Sequence, residues 1–269
     1  MIYANKMKFL SFTLLLHSLP ALAFADELAE MQKNSDNWVM PSGNYNNQRY
    51  SKLKQINQDN IKDLTMAWSF STGLLRGHES NTLVIDDTMY VHTPFPNIVF
   101  ALDLNNDGAI KWQYQPIQTY DETVSVMCCD TVNRGLAYGD GKIFLNQADT
   151  TLVALDINTG QLIWSHQRDA PKRGATSTDP AFVMKDKVLV GISGSEFGIR
   201  GYVQAYGLNG ESLWRAYSTG PDADMLVDPA KTLSMLKPVG QYSSLKSWQG
   251  EQWKIGGAQL GVRSLTILI

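Results

Sequence analysis

The sequence predicts an all-β protein built as a β-propeller, and three observations carry that prediction. A unit recurs: Val99-Phe-Ala-Leu-Asp-Leu-Asn-Asn-Asp-Gly-Ala-Ile-Lys-Trp112 is echoed by Leu152-Val-Ala-Leu-Asp-Ile-Asn-Thr-Gly-Gln-Leu-Ile-Trp164 and, more weakly, by Val203-Gln-Ala-Tyr-Gly-Leu-Asn-Gly-Glu-Ser-Leu-Trp214. In all three copies a glycine (Gly108, Gly160, Gly210) stands four residues before the tryptophan. Counting Trp68, the tryptophans return about every fifty residues, the repeat length of four-stranded blades set around an axis. A β-sandwich with chance aromatics leaves the fixed glycine-to-tryptophan spacing unexplained.

Taken in order, residues 26–73 are polar and rich in turn formers. Asn37–Gly43 and Asn44–Tyr50 read as covering loops, Asn57–Leu64 as a short helix, and Met66–Ser71 as a strand by its alternation. Each repeat reads as strand, tight turn, strand: alternating apolar residues, an Asn/Asp/Gly turn, and an aromatic on the returning strand. Thr88–His92, Lys142–Leu145 and Lys187–Ile192 supply further strands between the repeats. The third copy is one residue shorter and carries Gly207 where the others have Asp103 and Asp156. A partial fourth unit is expected near Trp248–Ile255. A propeller loses its sheet edges by closing, so three units and a fraction predict either a very small ring or an incomplete one.

Composition narrows the function. The 269 residues are 43% hydrophobic and 18% charged, a globular balance. Net charge is −3 with no basic block, which argues against a nucleic-acid partner. Lys6 and Lys8 precede an apolar run from Phe9 to Phe24, with small residues at Ala21, Ala23 and Ala25 offering cleavage sites. Residues 1–25 are therefore expected to be a signal peptide, which places the mature chain where disulfides persist.

Two cysteines, Cys128 and Cys129, are adjacent and are the only ones in the chain. They read either as two thiols in a strand or as a strained eight-membered vicinal ring, and export favours the ring. Glu79 falls at the entrance of a strand, a position that also suits a solvated turn carboxylate. Glu196 lies in the glycine-rich turn Ser193-Gly-Ser-Glu-Phe-Gly198, where glycines permit close backbone approach to a ligand and a carboxylate suits a hard cation.

Together these stretches resemble the pyrroloquinoline quinone (PQQ)-dependent alcohol dehydrogenases, nearest to the large subunits of methanol dehydrogenases and, among those, to the lanthanide-using type. The resemblance runs from Asn37 to Gly257. It is carried by Gln48-Arg-Tyr-Ser51, Leu75-Arg-Gly-His-Glu79, Met89-Tyr-Val-His-Thr-Pro-Phe-Pro96, Cys128-Cys-Asp-Thr-Val-Asn-Arg-Gly135, Ser193-Gly-Ser-Glu-Phe-Gly198, Trp214-Arg-Ala-Tyr-Ser-Thr-Gly-Pro221 and Trp253-Lys-Ile-Gly-Gly257. It implies an eight-bladed propeller in the periplasm, methanol or another short-chain alcohol as substrate, PQQ with calcium or a lanthanide as cofactors, a c-type cytochrome as electron acceptor, and association as a homodimer. By position it implies that Cys128 and Cys129 form a vicinal disulfide against one quinone face. It implies that Arg134 pairs with a cofactor carboxylate, that Glu79, Thr178, Ser193, Gly194 and Ser195 line the cofactor rim, and that Glu196 ligates the cation. Ser195 departs from the Gly or Ala usual there, and Thr178-Asp-Pro departs from Thr-x-Ala-Pro.

Residues 26–257 are thus expected to be the N-terminal part of such a propeller, and 258–269 a divergent tail. Ala258-Gln-Leu-Gly-Val262 is encodable by codons that read Thr-Thr-Trp-Gly in another frame, so a frameshift after Gly257 is expected. The family's stacking tryptophan, metal-binding asparagine and catalytic aspartate would lie downstream, so no alcohol oxidation is expected from this chain alone. Two other readings compete: a non-catalytic propeller scaffold, and a quinone-binding protein without turnover.

Overall fold

The computed structural model describes residues 26–246 and 248–256. The expected signal peptide and the 258–269 tail lie outside these residues.

Three four-stranded antiparallel sheets follow one another along the chain. The first holds β1 (Leu83–Ile85), β2 (Thr88–His92), β3 (Val99–Asp103) and β4 (Ala109–Tyr114). The second holds β5 (Ala137–Gly139), β6 (Lys142–Asn146), β7 (Thr151–Asp156) and β8 (Leu162–Gln167). The third holds β9 (Phe182–Met184), β10 (Lys187–Gly191), β11 (Tyr202–Gly207) and β12 (Ser212–Tyr217). Every sheet is a simple meander, the blade pattern of a propeller.

The repeat is visible in the packing. Ala101, Ala154 and Ala205 pair with Trp112, Trp164 and Trp214, and each ladder shifts register immediately after that alanine. The bulge aims the tryptophan sideways at the next blade. Trp68 lies on Gly108, Trp112 on Gly160 and Trp164 on Gly210, so that a Cβ on Gly160 would stand 2.5 Å from the Trp112 ring. All three glycines have positive φ, between 70° and 96°, which glycine adopts without strain. The indole N–H of Trp112 donates to Ile157 O (2.9 Å) and that of Trp164 to Leu208 O (3.1 Å), so each dock also satisfies a turn carbonyl.

Burial follows the same logic. The middle strands β6, β7, β10 and β11 are buried along nearly their whole length, being covered on both faces by neighbouring blades. The outer strands β4 and β8 are mainly exposed, and Trp112 is the one buried residue of β4. The core runs continuously from Leu83 and Val99 through Phe144, Leu152 and Val153 to Val188 and Tyr206.

Several expectations are corrected. Met66–Ser71 is not a strand, because a strand exists only through ladder bonds and the segment has no ladder partner among the described residues. Its aromatics dock nonetheless, Trp68 on Gly108 and Phe70 edge-on to Phe100 at 5.0 Å. The helix expected at Asn57–Leu64 shrinks to a 3-10 turn, Ile61–Asp63, with no buried residue to anchor more. The partial fourth unit near Trp248–Ile255 is not sheet but turns, including a 3-10 helix at Gln252–Lys254. Ahead of it lies a small hairpin, β13 (Leu233–Ser234) with β14 (Lys237–Pro238). Two short helices were not foreseen. The helix α1 (Glu27–Met31) is capped by the Asp26 carboxylate, and α2 (Tyr120–Val124) precedes the cysteine pair.

Candidate cofactor site

In an antiparallel blade, the segment entering the first strand and the connection leaving the second lie at the same end. Glu79 enters β1, Cys128 to Arg134 lead into β5, Thr178 leads into β9, and Ser193 to Glu196 connect β10 to β11. Topology alone thus collects all nine predicted site residues at one end of three consecutive blades.

Backbone bonds then stitch these loops together. Asn81 bridges Gly135 in parallel, and Thr176 bridges Ser193. Arg134 N donates to Thr178 O (2.9 Å). Gly194 sits at φ 116°, where a Cβ would reach within 2.1 Å of Gly174 O, so the turn closes only with glycine there. Gly256 packs over this turn, its Cβ direction 3.2 Å from Ser195 O.

The centre of the site is the Arg134 guanidinium. Its Nε faces Glu79 Oε2 at 3.2 Å, its Nη1 donates to Thr178 Oγ1 at 3.0 Å, and Asp179 Oδ1 stands 3.9 Å from Nη1. Glu79 and Thr178 hold the fork in one plane, the orientation needed for planar recognition of a carboxylate. Asp179 was not foreseen, although it occupies the departure from Thr-x-Ala-Pro; it sets a second carboxylate beside the arginine.

Cys128 and Glu196 also lie close enough to interact. The Cys128 thiol is pushed up to about 11, first by its hydrogen bond to Cys129, then by partial desolvation and the negative fields of Cys129 and Glu196. Cys128 and Cys129 are both exposed, side by side, and the vicinal disulfide that the resemblance implies stands as a proposal. Next to them, the N–H of Thr131 and then that of Gly77 hold Asp130 below the usual carboxylate range, and Arg76 pairs with it at 3.3 Å. Ser195 Oγ lies 3.5 Å from Glu196 Oε2, so the serine that departs from the family pattern touches the proposed cation ligand.

Beneath the loops runs a buried polar chain that sequence reading missed. His92 Nε2 lies 2.9 Å from Asn133 Oδ1, which also accepts from Gly135 N, while Asn133 Nδ2 donates to Asn146 O. Those backbone bonds fix the Asn133 amide, so His92 is the Nε2–H tautomer with Nδ1 bare and unpartnered among the described residues. Burial accordingly lowers the His92 pKa to about 4. Asn146 Nδ2 donates to Asp179 O, and Asn146 Oδ1 accepts from Arg168 Nη2, which also reaches Ser177 Oγ. Arg168 Nη1 donates to Gly191 O at 2.7 Å. One hydrogen-bonded line therefore ties the first blade to the third directly under Arg134, Thr178 and Ser193. Its members are scattered along the chain and nothing in their spacing announces them; His92 and Asn133 fall inside the motifs that carry the resemblance, but neither was singled out.

Among the described residues no three His, Cys, Asp or Glu side chains group as a metal site. Glu196 stands as a single candidate ligand.

Known proteins share this fold. The sequence matches the family described as "Glucose/ethanol/alcohol dehydrogenase, beta-propeller domain" over residues 38–234. It is 54% identical over 239 residues to the lanthanide-dependent methanol dehydrogenase of Methylorubrum extorquens, covering 88% of this chain and 39% of that protein. It is 48% identical over 248 residues to methanol dehydrogenase [cytochrome c] subunit 1 of Methylobacterium organophilum, covering 89% and 40% respectively. The solved europium-containing methanol dehydrogenase superposes with a TM-score of 0.80 at 49% identity over 87% of this chain and 41% of its own. The chain thus spans about two-fifths of the length of these relatives. Its blades, its docked tryptophans and this match place it in the PQQ β-propeller family of alcohol dehydrogenases.

Proposed function

We propose that the chain is the N-terminal, cofactor-cradling part of a periplasmic PQQ-dependent dehydrogenase that oxidises methanol or another short-chain primary alcohol and passes electrons to a c-type cytochrome. The observation that carries this reading is the Arg134 guanidinium held by Glu79 and Thr178 at the blade end where Cys128, Ser193, Gly194 and Glu196 also converge.

The donor set fits an aromatic polycarboxylate. When bound, the quinone supplies a two-electron acceptor for hydride. The chain's own residues do the positioning. Arg134 offers a fork to a carboxylate, Glu79 and Thr178 prevent it from swinging, and the Gly194 turn brings backbone close to the ring edge. Cys128 and Cys129 present a soft, flat surface, as thiols or, after oxidation, as the vicinal disulfide. A calcium or lanthanide ion does not fit these residues alone, because Glu196 is unaccompanied among the described residues. The chain is therefore expected to bind the quinone without oxidising alcohol. The family match over most of the chain favours this reading over a non-catalytic scaffold.

The test is equilibrium dialysis of PQQ against the purified chain, with and without calcium or lanthanum chloride, alongside dye-linked methanol oxidation. Saturable binding that weakens at least about tenfold in Arg134→Ala is expected, since a charge-assisted contact contributes about 1.5–3 kcal/mol. Binding that ignores Arg134 sinks the reading of the site. Methanol-dependent dye reduction sinks the expectation of inactivity.

A further inference from the structure

The buried polar chain and the surface site run in register, one residue apart. Ser80 follows Glu79, and its Oγ donates to the carbonyl of His92 at 3.3 Å. Asn133 precedes Arg134, and its Oδ1 accepts from His92 Nε2 at 2.9 Å. Asp179 follows Thr178, and its carbonyl accepts from Asn146 Nδ2 at 3.0 Å. Arg134 and the two residues that hold its guanidinium thus each stand beside an anchor in the buried line.

Asn133 is where that line branches. Besides the bond from His92, its Oδ1 accepts from Gly135 N at 3.3 Å and its Nδ2 donates to Asn146 O at 2.9 Å. His92 ends β2 and Asn146 ends β6, so the amide is tied to two blades at once. Only one orientation of the amide satisfies all three partners, and a buried amide turned away from them leaves donors and acceptors unpaired. Arg134 is therefore pinned from both flanks, and its own N–H donates to Thr178 O. Of the three partners of the amide, only His92 supplies a side chain; the other two are main-chain groups. Its donor can be removed without touching the backbone. Both His92 and Asn133 are 1% exposed, so any effect they have on a ligand passes through Arg134.

We infer that Asn133, oriented by the Nε2–H of His92, is a positioning residue for Arg134, fixing the backbone from which the guanidinium reaches a quinone carboxylate. The inference rests on the reading of Arg134 as the arm that receives PQQ. Affinity for the quinone then depends on two side chains that never meet it.

The experiment compares His92→Leu, which removes the donor, with His92→Gln, whose amide N–H replaces it, and with Asn133→Ala. Two readouts are taken on the purified chain at pH 7. Proton exchange at the Arg134 side-chain Nε–H, followed by heteronuclear NMR, reports the pairing with Glu79 in the absence of any ligand. Equilibrium dialysis of PQQ gives the dissociation constant and, separately, the number of sites per chain. Partial unfolding lowers the number of sites and leaves the constant alone.

Exchange at least about fivefold faster and binding at least about fivefold weaker are expected in His92→Leu and Asn133→Ala, the scale of one hydrogen bond, with both restored to within about twofold in His92→Gln. If Asn133→Ala does not fold, the His92 pair decides. The inference is overturned if exchange and affinity in His92→Leu match the wild type, if only the number of sites falls, or if His92→Gln is impaired as much as His92→Leu. A wild-type chain that binds no PQQ sinks the reading of the site instead, and the exchange rates alone then decide whether Asn133 holds Arg134.

Discussion

Gly160→Ala tests the tryptophan dock that organises the blades. Gly160 has φ 70°, and an L-residue held in that region costs roughly 1–2 kcal/mol. The added methyl would stand 2.5 Å from Cε3 and 2.7 Å from Cδ2 of Trp112, a ring buried to 8% exposure, so the indole must retreat. Such overpacking costs about 1–3 kcal/mol. Retreat also breaks the 2.9 Å bond from Trp112 Nε1 to Ile157 O, about 1 kcal/mol more. The expected loss is therefore about 3–6 kcal/mol. Gly141→Ala is the matched control: φ is 67° and nothing lies within 4 Å of the Cβ direction, so only the backbone term, about 1–2 kcal/mol, applies. Urea unfolding followed by tryptophan fluorescence measures both. If the two variants lose the same stability, the indole is not held by the glycine, and the docking account of the repeat fails.

Other outcomes follow from the site and its foundations. His92 titrates near 4 in the folded chain against about 6.5 unfolded. The unfolded state therefore binds the extra proton between those values, and stability is lost as pH falls from about 6.5 to 4, by up to about 3 kcal/mol. Urea midpoints at pH 7 and pH 4.5 should separate less in His92→Gln, and an unchanged difference would remove His92 as the cause. Asp179→Asn removes the second carboxylate 3.9 Å from Arg134. It is expected to tighten PQQ binding about two- to fivefold, the scale of a partly exposed ion pair, and equal or weaker binding by dialysis contradicts that competition.

The repeats were legible because the device is local. Glycine and tryptophan sit four residues apart on one turn and its returning strand, and the alanine opposite is part of the same copy. The target of each indole was not legible, since Trp112 reaches Gly160 in the following blade and no local spacing encodes that partner. Met66–Ser71 was misread for the same reason: alternation describes which faces a segment presents, while a strand also requires a neighbour to bond. At the site, Glu79, Arg134, Thr178 and Glu196 were found through motifs that keep ligand-facing residues in recognisable strings. Asp179 was passed over as a departure from a pattern. Asn146 and Arg168 carried no signal, and His92 lay in a motif without its role being marked, because a polar residue in a sequence does not reveal whether it will be buried.

By itself, then, the sequence determined the blade unit, its turn glycines, the family and the identity of the residues that converge at one blade end, all matters of short-range pattern. The tertiary structure decided which indole meets which glycine and how Arg134 is held between Glu79 and Thr178. It also decided that the paired cysteines lie beside Glu196, and that a buried polar chain links His92 of the first blade to Gly191 of the third. Those facts depend on distances between groups far apart in the chain and on water excluded from between them, and neither quantity exists until the blades have packed.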